Sequence, residues 1–273
     1  EFICGNVVTC DLGKVNYNSS LGATYFNQKL PICTEGYLRI TKEGFLPENI
    51  LISTDTSTVQ NLGSIYLDQI VTKEFKLQKY DIKKEVVTGA DPVYSLDNTS
   101  KNVSENNTVT ISMEKISYDK TDEPYRVSAV ISKEYGALDN TIKLAPGTYS
   151  LNILMLDSQG ILIPKECKRV CVDGPSTIGA IFGDDCSEYD YIPKDPIEIK
   201  PAPWGGLDYS NRTLVHISPE DLNGDNTIVF SILDLPKPSC FDDMKVVDDI
   251  PEFSVKYKST LMPKFIANNA TGN

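Results

Sequence analysis

Residues 146–155 read Pro-Gly-Thr-Tyr-Ser-Leu-Asn-Ile-Leu-Met, and their pattern indicates the kind of fold. After the Pro-Gly turn signal, large side chains recur at every second position: Tyr149, Leu151, Ile153 and Met155. Successive side chains of an extended strand point to opposite faces, so a period of two places these side chains on one face. The stretch therefore predicts a long β-strand with one buried face.

The same alternation marks other parts of the chain as strands. It recurs in three further groups: Val109, Ile111 and Met113; Ile228, Phe230 and Ile232; and Phe253, Val255 and Tyr257. Turn-forming Gly, Pro, Asn and Asp separate the groups, as they do between antiparallel strands. The pattern predicts an all-β protein of two tandem antiparallel β-sandwich domains, immunoglobulin or transthyretin-like, with little helix. The best helix start is Ser218-Pro219-Glu220-Asp221, which has an N-cap serine, an early proline and an acidic first turn.

Polar and proline-rich segments divide the chain. We expect a first β-sandwich at residues 1–80 and a linker or glycosylated loop at residues 81–108. A second, larger β-sandwich is expected at residues 109–273, with an irregular insert at 174–206 whose prolines disfavour central-strand pairing. The only tryptophan, Trp204, lies in this insert and is either packed in the core or exposed as a ligand platform.

Residues 20–79 contain a series of turn and strand motifs that has a counterpart in a known family. The motifs are a Gly-Ala strand entry, a Gly-Tyr strand, a Lys-x-Gly-aromatic turn and a final apolar strand: Gly22, Ala23, Gly36, Tyr37, Lys42, Gly44, Phe45, Phe75 and Leu77. The series resembles the carboxypeptidase-regulatory-like and PEGA-type β-sandwich modules of prokaryotic, in particular archaeal, secreted or cell-surface proteins. The resemblance covers about a third of the chain and implies a fold more than a chemistry. It implies a spacer, an adhesive unit or an accessory domain.

Composition and charge exclude several classes of partner. The chain has 273 residues, with 26 Lys and Arg against 38 Asp and Glu, and a net charge of −12. An acidic chain without a basic run is a poor binder of nucleic acid or anionic membranes. No stretch reaches the roughly 20 apolar residues of a membrane span. A single histidine excludes a metal centre built from several histidines.

The seven cysteines are either buried thiols of a cytosolic protein or disulfides of an extracellular one, and we favour disulfides. We expect a Cys10–Cys33 bridge, with Cys4 unpaired or bridging to another chain. Two further pairs are expected among the later four: Cys167, Cys171, Cys186 and Cys240. Cys167 and Cys171 would lie roughly 13 Å apart on one extended strand, so we expect each to pair with Cys186 or Cys240.

Six Asn-x-Ser/Thr sequons favour an extracellular location. The candidate glycosylation sites are Asn18, Asn98, Asn102, Asn106, Asn211 and Asn269. Three of them fall within residues 98–108, a polar segment typical of a glycosylated surface loop. The chain begins at Glu1 without a signal sequence, from which we expect a processed or trimmed form.

One loop has the start of a calcium-binding pattern. Asp221, Asn223 and Asp225 place oxygen ligands at alternate positions, as in the first half of an EF-hand loop. Asn226 stands where that loop needs glycine, and Ile232 stands where it needs a closing carboxylate. The alternative is a capped helical turn without metal. No other cofactor is expected.

Two other groups of residues have side chains that could carry chemistry. Acidic and aromatic residues surround Cys186, either as a solvated loop or as a cation or sugar contact: Asp184, Asp185, Glu188, Tyr189, Asp190 and Tyr191. His216 precedes Ser218 and Asp221, but it lies in an apolar strand pattern and no Gly-x-Ser-x-Gly nucleophile motif occurs. We therefore expect a packed histidine and no enzymatic activity.

The sequence favours an extracellular structural or adhesive protein. We expect a glycosylated subunit of a surface filament, pilus or surface layer, a homopolymer assembled through β-strand and sandwich contacts, with surface glycans as further partners. The strand given to a neighbouring subunit would be Phe2–Thr9 or Phe253–Tyr257. The alternative is a secreted carbohydrate- or calcium-binding module that uses Trp204, Tyr189 and Tyr191.

Overall fold

The fold is dominated by β-structure. The computed structural model describes residues 1–5, 8–20, 22–56, 59–86, 88, 91–116, 124–132, 140–172, 188–209 and 213–268. Strands account for 52% of residues and helices for 11%, which confirms the all-β class. No helix in the described ranges has the length and hydropathy of a membrane-spanning segment.

The N-terminal part of the chain forms a small sheet and a separate hairpin. Its strands are β1 (Phe2–Cys4), β2 (Val8–Cys10), β3 (Asn16–Asn18), β4 (Ala23–Tyr25), β5 (Cys33–Ile40) and β6 (Glu48–Thr54). The sheet has the order β2-β1-β5-β6, and β3 pairs with β4 alone. One face carries the buried core of Phe2, Cys33, Leu38 and Ile52.

The structure explains why glycine occurs at two positions, one in the Gly-Tyr strand and one in the turn that follows it. A Cβ atom on Gly36 would lie 2.7 Å from Cζ of Phe2, so only glycine leaves room for that ring. Gly44 has a φ of 78°, in the left-handed region that glycine adopts without strain, which confirms the predicted turn. Backbone N–H groups of Leu46 and Ile70 donate to the carbonyls of Asp68 and Gly44 at 2.8 Å and tie this turn to the chain entering the larger sheet.

The rest of the chain supplies a ten-stranded sheet and two more hairpin-like pairs. Its strands are β7 (Val71–Glu85), β8 (Val93–Asn102), β9 (Asn107–Lys115), β10 (Arg126–Ile131), β11 (Thr141–Leu144), β12 (Gly147–Asp157), β13 (Ile161–Ile163), β14 (Lys168–Cys171), β15 (Tyr189–Ile192), β16 (Ile197–Ile199), β17 (Ala202–Asp208), β18 (Val215–Ile217), β19 (Asn226–Asp234) and β20 (Lys264–Ala267). The main path is β10-β9-β12-β17-β19-β7-β11. β18, β20 and β8 pair with β12, β19 and β7, while β13–β16 and β14–β15 form separate pairs.

The large sheet curls around one core. The predicted strand faces of β9, β12 and β19 are all buried within it, including Ile111, Leu151 and Phe230. The hydroxyl of Tyr125, just before β10, donates to the carbonyl of Lys143 in β11 at 3.1 Å, so the two ends of the path meet. Trp204 is 1% exposed in this core, so of the two roles that the sequence left open it has the packed one.

The chain is not divided where the sequence predicted. The boundary expected after Tyr80 falls inside β7, whose register with β19 runs in parallel from Phe75 to Asp81. The segment expected to be a linker holds the end of β7 and all of β8. β8 is exposed along most of its length, and its polar composition therefore did not indicate a strand. In the insert, residues 188–206 contribute β15, β16 and most of β17, and the remainder lies outside the described residues.

Helices are short and close one end of the core. They are α1 (Pro219–Asn223), a 3₁₀ helix (Phe241–Asp249), α2 (Ile250–Lys256) and α3 (Lys258–Leu261). α1 begins where the sequence predicted, with Ser218 as N-cap. The strand predicted at Phe253–Tyr257 is wrong, because this segment lies in α2 and its C-cap.

Neither strand expected to be donated to a neighbour is free. Phe2–Cys4 lies between β2 and β5 within its own sheet. Phe253 lies in a helix with its side chain in the core. Donation of either segment to a neighbouring subunit is therefore not supported as the mode of assembly.

The disulfides correct one predicted pair and confirm another. Cys4 pairs with Cys33 across β1 and β5, with a Cα–Cα distance of 5.9 Å, and Cys10 is a free cysteine. The Cys10–Cys33 prediction is wrong because β1 separates β2 from β5, and two strand spacings of about 4.8 Å exceed the reach of a disulfide. Cys167 pairs with Cys240 at a Cα–Cα distance of 5.3 Å. Cys171 is also disulfide-bonded, and Cys186 lies outside the described residues.

Candidate functional site

A polar pocket lies beside the turn between β8 and β9. Its volume is about 220 Å³. Its charged lining residues are two lysines and two aspartates: Lys79, Asp157, Asp234 and Lys237. Asn106 and Gln159 line it from two exposed turns, and the buried Met155 and Trp204 line it from the core. Side chains from β7, β12, β17 and β19 thus converge at this place.

The charges of the pocket are arranged as two ion pairs. Lys79 Nζ lies 2.5 Å from an Asp234 carboxylate oxygen, and Lys237 Nζ lies 2.6 Å from one of Asp157. Burial raises the pKa of Asp157, but hydrogen bonds from Lys237 and from the N–H of Gln159, with the attraction of Lys237, hold that pKa below its usual value. The pocket is therefore neutral overall, with acceptors and donors side by side.

Trp204 is fixed by its indole nitrogen. Nε1 donates to the carbonyls of Leu235 and Pro236 at 3.1 and 3.2 Å. The ring is almost fully buried, which counts against the exposed aromatic platform of the carbohydrate-binding alternative.

The loop predicted to bind calcium uses its oxygens in other ways. The Asp221 carboxylate accepts hydrogen bonds from Ser218 N at 2.8 Å and Ser218 Oγ at 2.9 Å, which completes a capping box. The Asp225 carboxylate accepts one from Asn268 Nδ2 at 3.0 Å. No contact brings Asn223 to these two carboxylates within the described ranges.

A buried lysine is bound at the same loop. Lys73 is 6% exposed, and its ammonium donates to the Gly224 carbonyl and, at 2.9 Å, to Asn226 Oδ1. The Lys73 ammonium thus occupies two oxygens of the same loop. Within the described residues, Asp221, Asn223 and Asp225 are not brought together as one group of ligands.

The aromatic residues near Cys186 form a small exposed surface on β15. Tyr189 and Tyr191 are 40% and 49% exposed. The Arg169 guanidinium lies 3.3 Å from the centroid of the Tyr189 ring. Asp190 pairs with Lys194, whose hydrogen bond, with that of the Tyr191 N–H, holds the pKa of Asp190 below its usual value. Asp184, Asp185 and Cys186 lie outside the described residues.

His216 is not assembled into a catalytic group with its neighbours. Its Nδ1 lies 3.3 Å from Thr148 Oγ1, and the ring is on the exposed face of β18. Ser218 and Asp221 instead bond to each other in the helix cap. The histidine predicted to be packed is therefore exposed on its strand.

The sequons of residues 98–108 lie on the β8–β9 hairpin. Asn98 and Asn102 are exposed on β8, and Asn106 is exposed in the turn that borders the pocket. Asn18 is partly buried at the end of β3, where its side chain accepts from the Ser20 N–H. Asn211 and Asn269 lie outside the described residues.

The outer face of the N-terminal sheet has one apolar row, flanked by the polar Arg39, Asn49 and Ser53. Ile3 pairs with Tyr37 and Tyr37 with Leu51, so these residues form one row opposite the core face. Leu51 lies on β6, an edge strand among the described strands, and is 70% exposed. We call the row of Ile3, Tyr37 and Leu51 the N-terminal outer face. Of the three residues only Leu51 is on an edge strand, and the unpaired backbone groups of such a strand can pair with another chain.

Sequence patterns did not reveal the pocket. Its ion pairs join residues more than 75 positions apart in the chain, Lys79 with Asp234 and Asp157 with Lys237. The only local signal was the Asn106 sequon, which marks the turn at the pocket rim. Comparisons with protein-family models, with curated proteins and with solved structures found no match to the chain, so the resemblance to carboxypeptidase-regulatory-like and PEGA-type modules stays a prediction.

Proposed function

We propose that the protein is an extracellular structural or adhesive protein, a glycosylated subunit of a surface filament, pilus or surface layer. In this proposal it consists of tandem β-sandwich modules of the immunoglobulin or transthyretin-like kind. Copies associate through strand and sheet contacts. The observation that carries the proposal is the β6 edge with its exposed Leu51.

Covalent features support an oxidising location. Disulfides join Cys4 to Cys33 and Cys167 to Cys240, and such bonds persist mainly outside the reducing cytosol. The exposed sequon residues on one hairpin would accept glycans without disturbing the core. Both features agree with the cell surface.

Two long edge strands differ in a way that favours one docking edge. β8 carries Asn98 and Asn102, and glycans on an edge strand would block its pairing with another sheet. β6 contains no sequon and exposes Leu51, while its neighbours Ile50 and Ile52 face the core side of the sheet. We therefore assign association to β6.

The β6 sequence is compatible with pairing to a second copy of itself. An antiparallel pair centred on Leu51 would place Ile50 opposite Ile52 and Glu48 opposite Thr54, so no like charges face each other. The Ser53 carbonyl already accepts a hydrogen bond from Gln60 Nε2. Backbone pairing between two β6 strands would therefore involve mainly residues 50–52. Such a two-fold contact gives a dimer, and a polymer needs a second contact elsewhere.

Substitution of Leu51 tests this proposal. Leu51→Lys places two charges face to face at the centre of the pair, so we expect the dimer dissociation constant to rise at least about tenfold. Analytical ultracentrifugation over a concentration series measures this. The matched control is Leu162→Lys, a 61% exposed leucine on β13, which should leave association unchanged.

Two results would contradict the proposal. One is a wild-type protein that stays monomeric at the highest soluble concentration. The other is equal association of the Leu51→Lys and Leu162→Lys variants, which would show that the β6 edge is not used. Electron microscopy of the native material then tests whether the association extends to a filament or lattice.

A further inference from the structure

The polar pocket has the properties of a site for a neutral, hydroxyl-rich ring. Its volume of about 220 Å³ is below the about 300–1,000 Å³ of pockets for drug-sized ligands, which suits one sugar ring. Its two ion pairs cancel in charge and offer carboxylate acceptors beside ammonium donors. Hydroxyl groups donate and accept at once, so this arrangement matches a polyol better than an ion.

The position of Asn106 indicates how a sugar ring would reach this pocket. Asn106 lines the pocket and is the first residue of the sequon Asn106-Asn107-Thr108. Its backbone is fixed, because its N–H donates to Ser104 Oγ at 3.3 Å and its carbonyl accepts from Ser158 N at 3.1 Å. Its side-chain amide makes no hydrogen bond to any other residue that the structure describes.

We propose that Asn106 carries an N-linked glycan whose first sugar ring occupies the polar pocket. This inference rests on the extracellular glycoprotein of the proposed function, and it adds a structural role for one glycan. The ring would lie between Gln159 and the Asp157–Lys237 pair, with the remaining sugars directed to solvent. Asn98 and Asn102 do not line this pocket.

The covalent step follows the usual chemistry of N-glycosylation. A bond forms between C1 of the sugar and Nδ2 of Asn106, the bond from C1 to the lipid pyrophosphate of the donor breaks, the lipid pyrophosphate leaves, and the proton lost from Nδ2 passes to solvent. In the folded chain the Thr108 hydroxyl lies 3.2 Å from Ser132 Oγ, to which it donates. In this proposal the transfer precedes the pairing of β9, while the Thr108 hydroxyl is not yet bonded to Ser132, and folding then places the sugar in the pocket.

Three matched substitutions in the full chain secreted from glycosylating cells test the site. Glycopeptide mass spectrometry should find Asn106 modified. Asn106→Gln should then lower the melting temperature by about 2–4 °C, whereas Asn98→Gln and Asn102→Gln should change it by less than about 1 °C. The Asn106 glycan should also resist an endoglycosidase that removes the other two from the folded protein.

A second substitution separates pocket binding from a general effect of glycosylation. Gln159→Ala should lower the melting temperature of the glycosylated protein but not that of the Asn106→Gln variant, because the contact needs both partners. Equal effects of Gln159→Ala in both backgrounds would overturn the inference, as would an unmodified Asn106 beside a modified Asn98 or Asn102. If the secreted chain carries no glycan at all, both the Asn106 inference and the glycoprotein part of the proposed function are wrong. The Leu51→Lys test of association does not depend on that result.

Discussion

At the residue scale, the loop whose sequence resembles a calcium site binds the side chain of Lys73. The acidic and amide residues that suggested a metal lie in a loop whose Gly224 and Asn226 oxygens bind the Lys73 ammonium. Lys73 is about 150 positions away in the chain, so no local pattern could have shown this contact. A buried ammonium needs such acceptors, since its desolvation is otherwise costly.

Replacement of Lys73 should therefore destabilise the fold. Lys73→Met leaves the Gly224 carbonyl and Asn226 Oδ1 without their donor, so we expect a loss of about 1.5–3 kcal/mol in the free energy of unfolding. Urea denaturation measures it. Lys76→Met, at an exposed position of the same strand, is the control and should cost less than about 0.5 kcal/mol. Equal losses would show that the Lys73 contacts contribute nothing specific.

At the element scale, strands with one face in the core were predictable, whereas the exposed β8 and the C-terminal helices were not. β9, β12 and β19 follow a period of two because each has one face in the core, and that pattern is local. Phe253, Val255 and Tyr257 also alternate, yet α2 buries Phe253 and Ser254 together and leaves Val255 exposed. Ser254 Oγ donates to the Ile250 carbonyl and accepts from Asp208 N, contacts that compensate for burying a hydroxyl and depend on tertiary structure.

An ion pair joins the 3₁₀ helix to β7, and its contribution to the free energy of unfolding depends on pH. Lys84 Nζ lies 2.6 Å from an Asp243 oxygen. Burial raises the pKa of Asp243, but hydrogen bonds from Lys84 and Ser239 outweigh it and lower that pKa to about 2. Because the folded pKa lies below the usual 3.8, the contribution is complete above about pH 4 and is lost as the pH falls toward 2.

Asp243→Asn should therefore reduce the acid dependence of stability. Between pH 5 and pH 2 the wild type should lose about 1–2 kcal/mol more than this variant, as measured by urea denaturation at each pH. Asp242→Asn is the control, since the Lys168–Asp242 pair is more than 40% exposed on both sides and such surface pairs contribute little. The interpretation fails if Asp243→Asn keeps the full acid dependence of the wild type.

At the scale of the whole molecule, the candidate site and the cross-links both join distant parts of the chain. The sequence predicted sequons, strands and the existence of disulfides, because these are local or compositional signals. It did not predict the pocket, which forms only after β7 and β19 pair in parallel. It also misplaced the first disulfide, because the strand order β2-β1-β5 could not be derived from cysteine spacing.

The last prediction concerns these cross-links. Cys167–Cys240 closes a loop with a sequence separation of 73 and ties the start of β14 to the 3₁₀ helix, whereas Cys4–Cys33 spans 29. In the chain-entropy model these loops contribute about 4.4 and about 3.6 kcal/mol, so replacing both cysteines of a pair with serine should cost stability in that order. Cys10→Ser, which breaks no bridge, should leave the melting temperature within about 1 °C of the wild type. Cys10 is half-buried beside the core of the N-terminal sheet. If Cys10→Ser lowers the melting temperature strongly while the double replacement of Cys4 and Cys33 lowers it little, the structural bridge would instead involve Cys10.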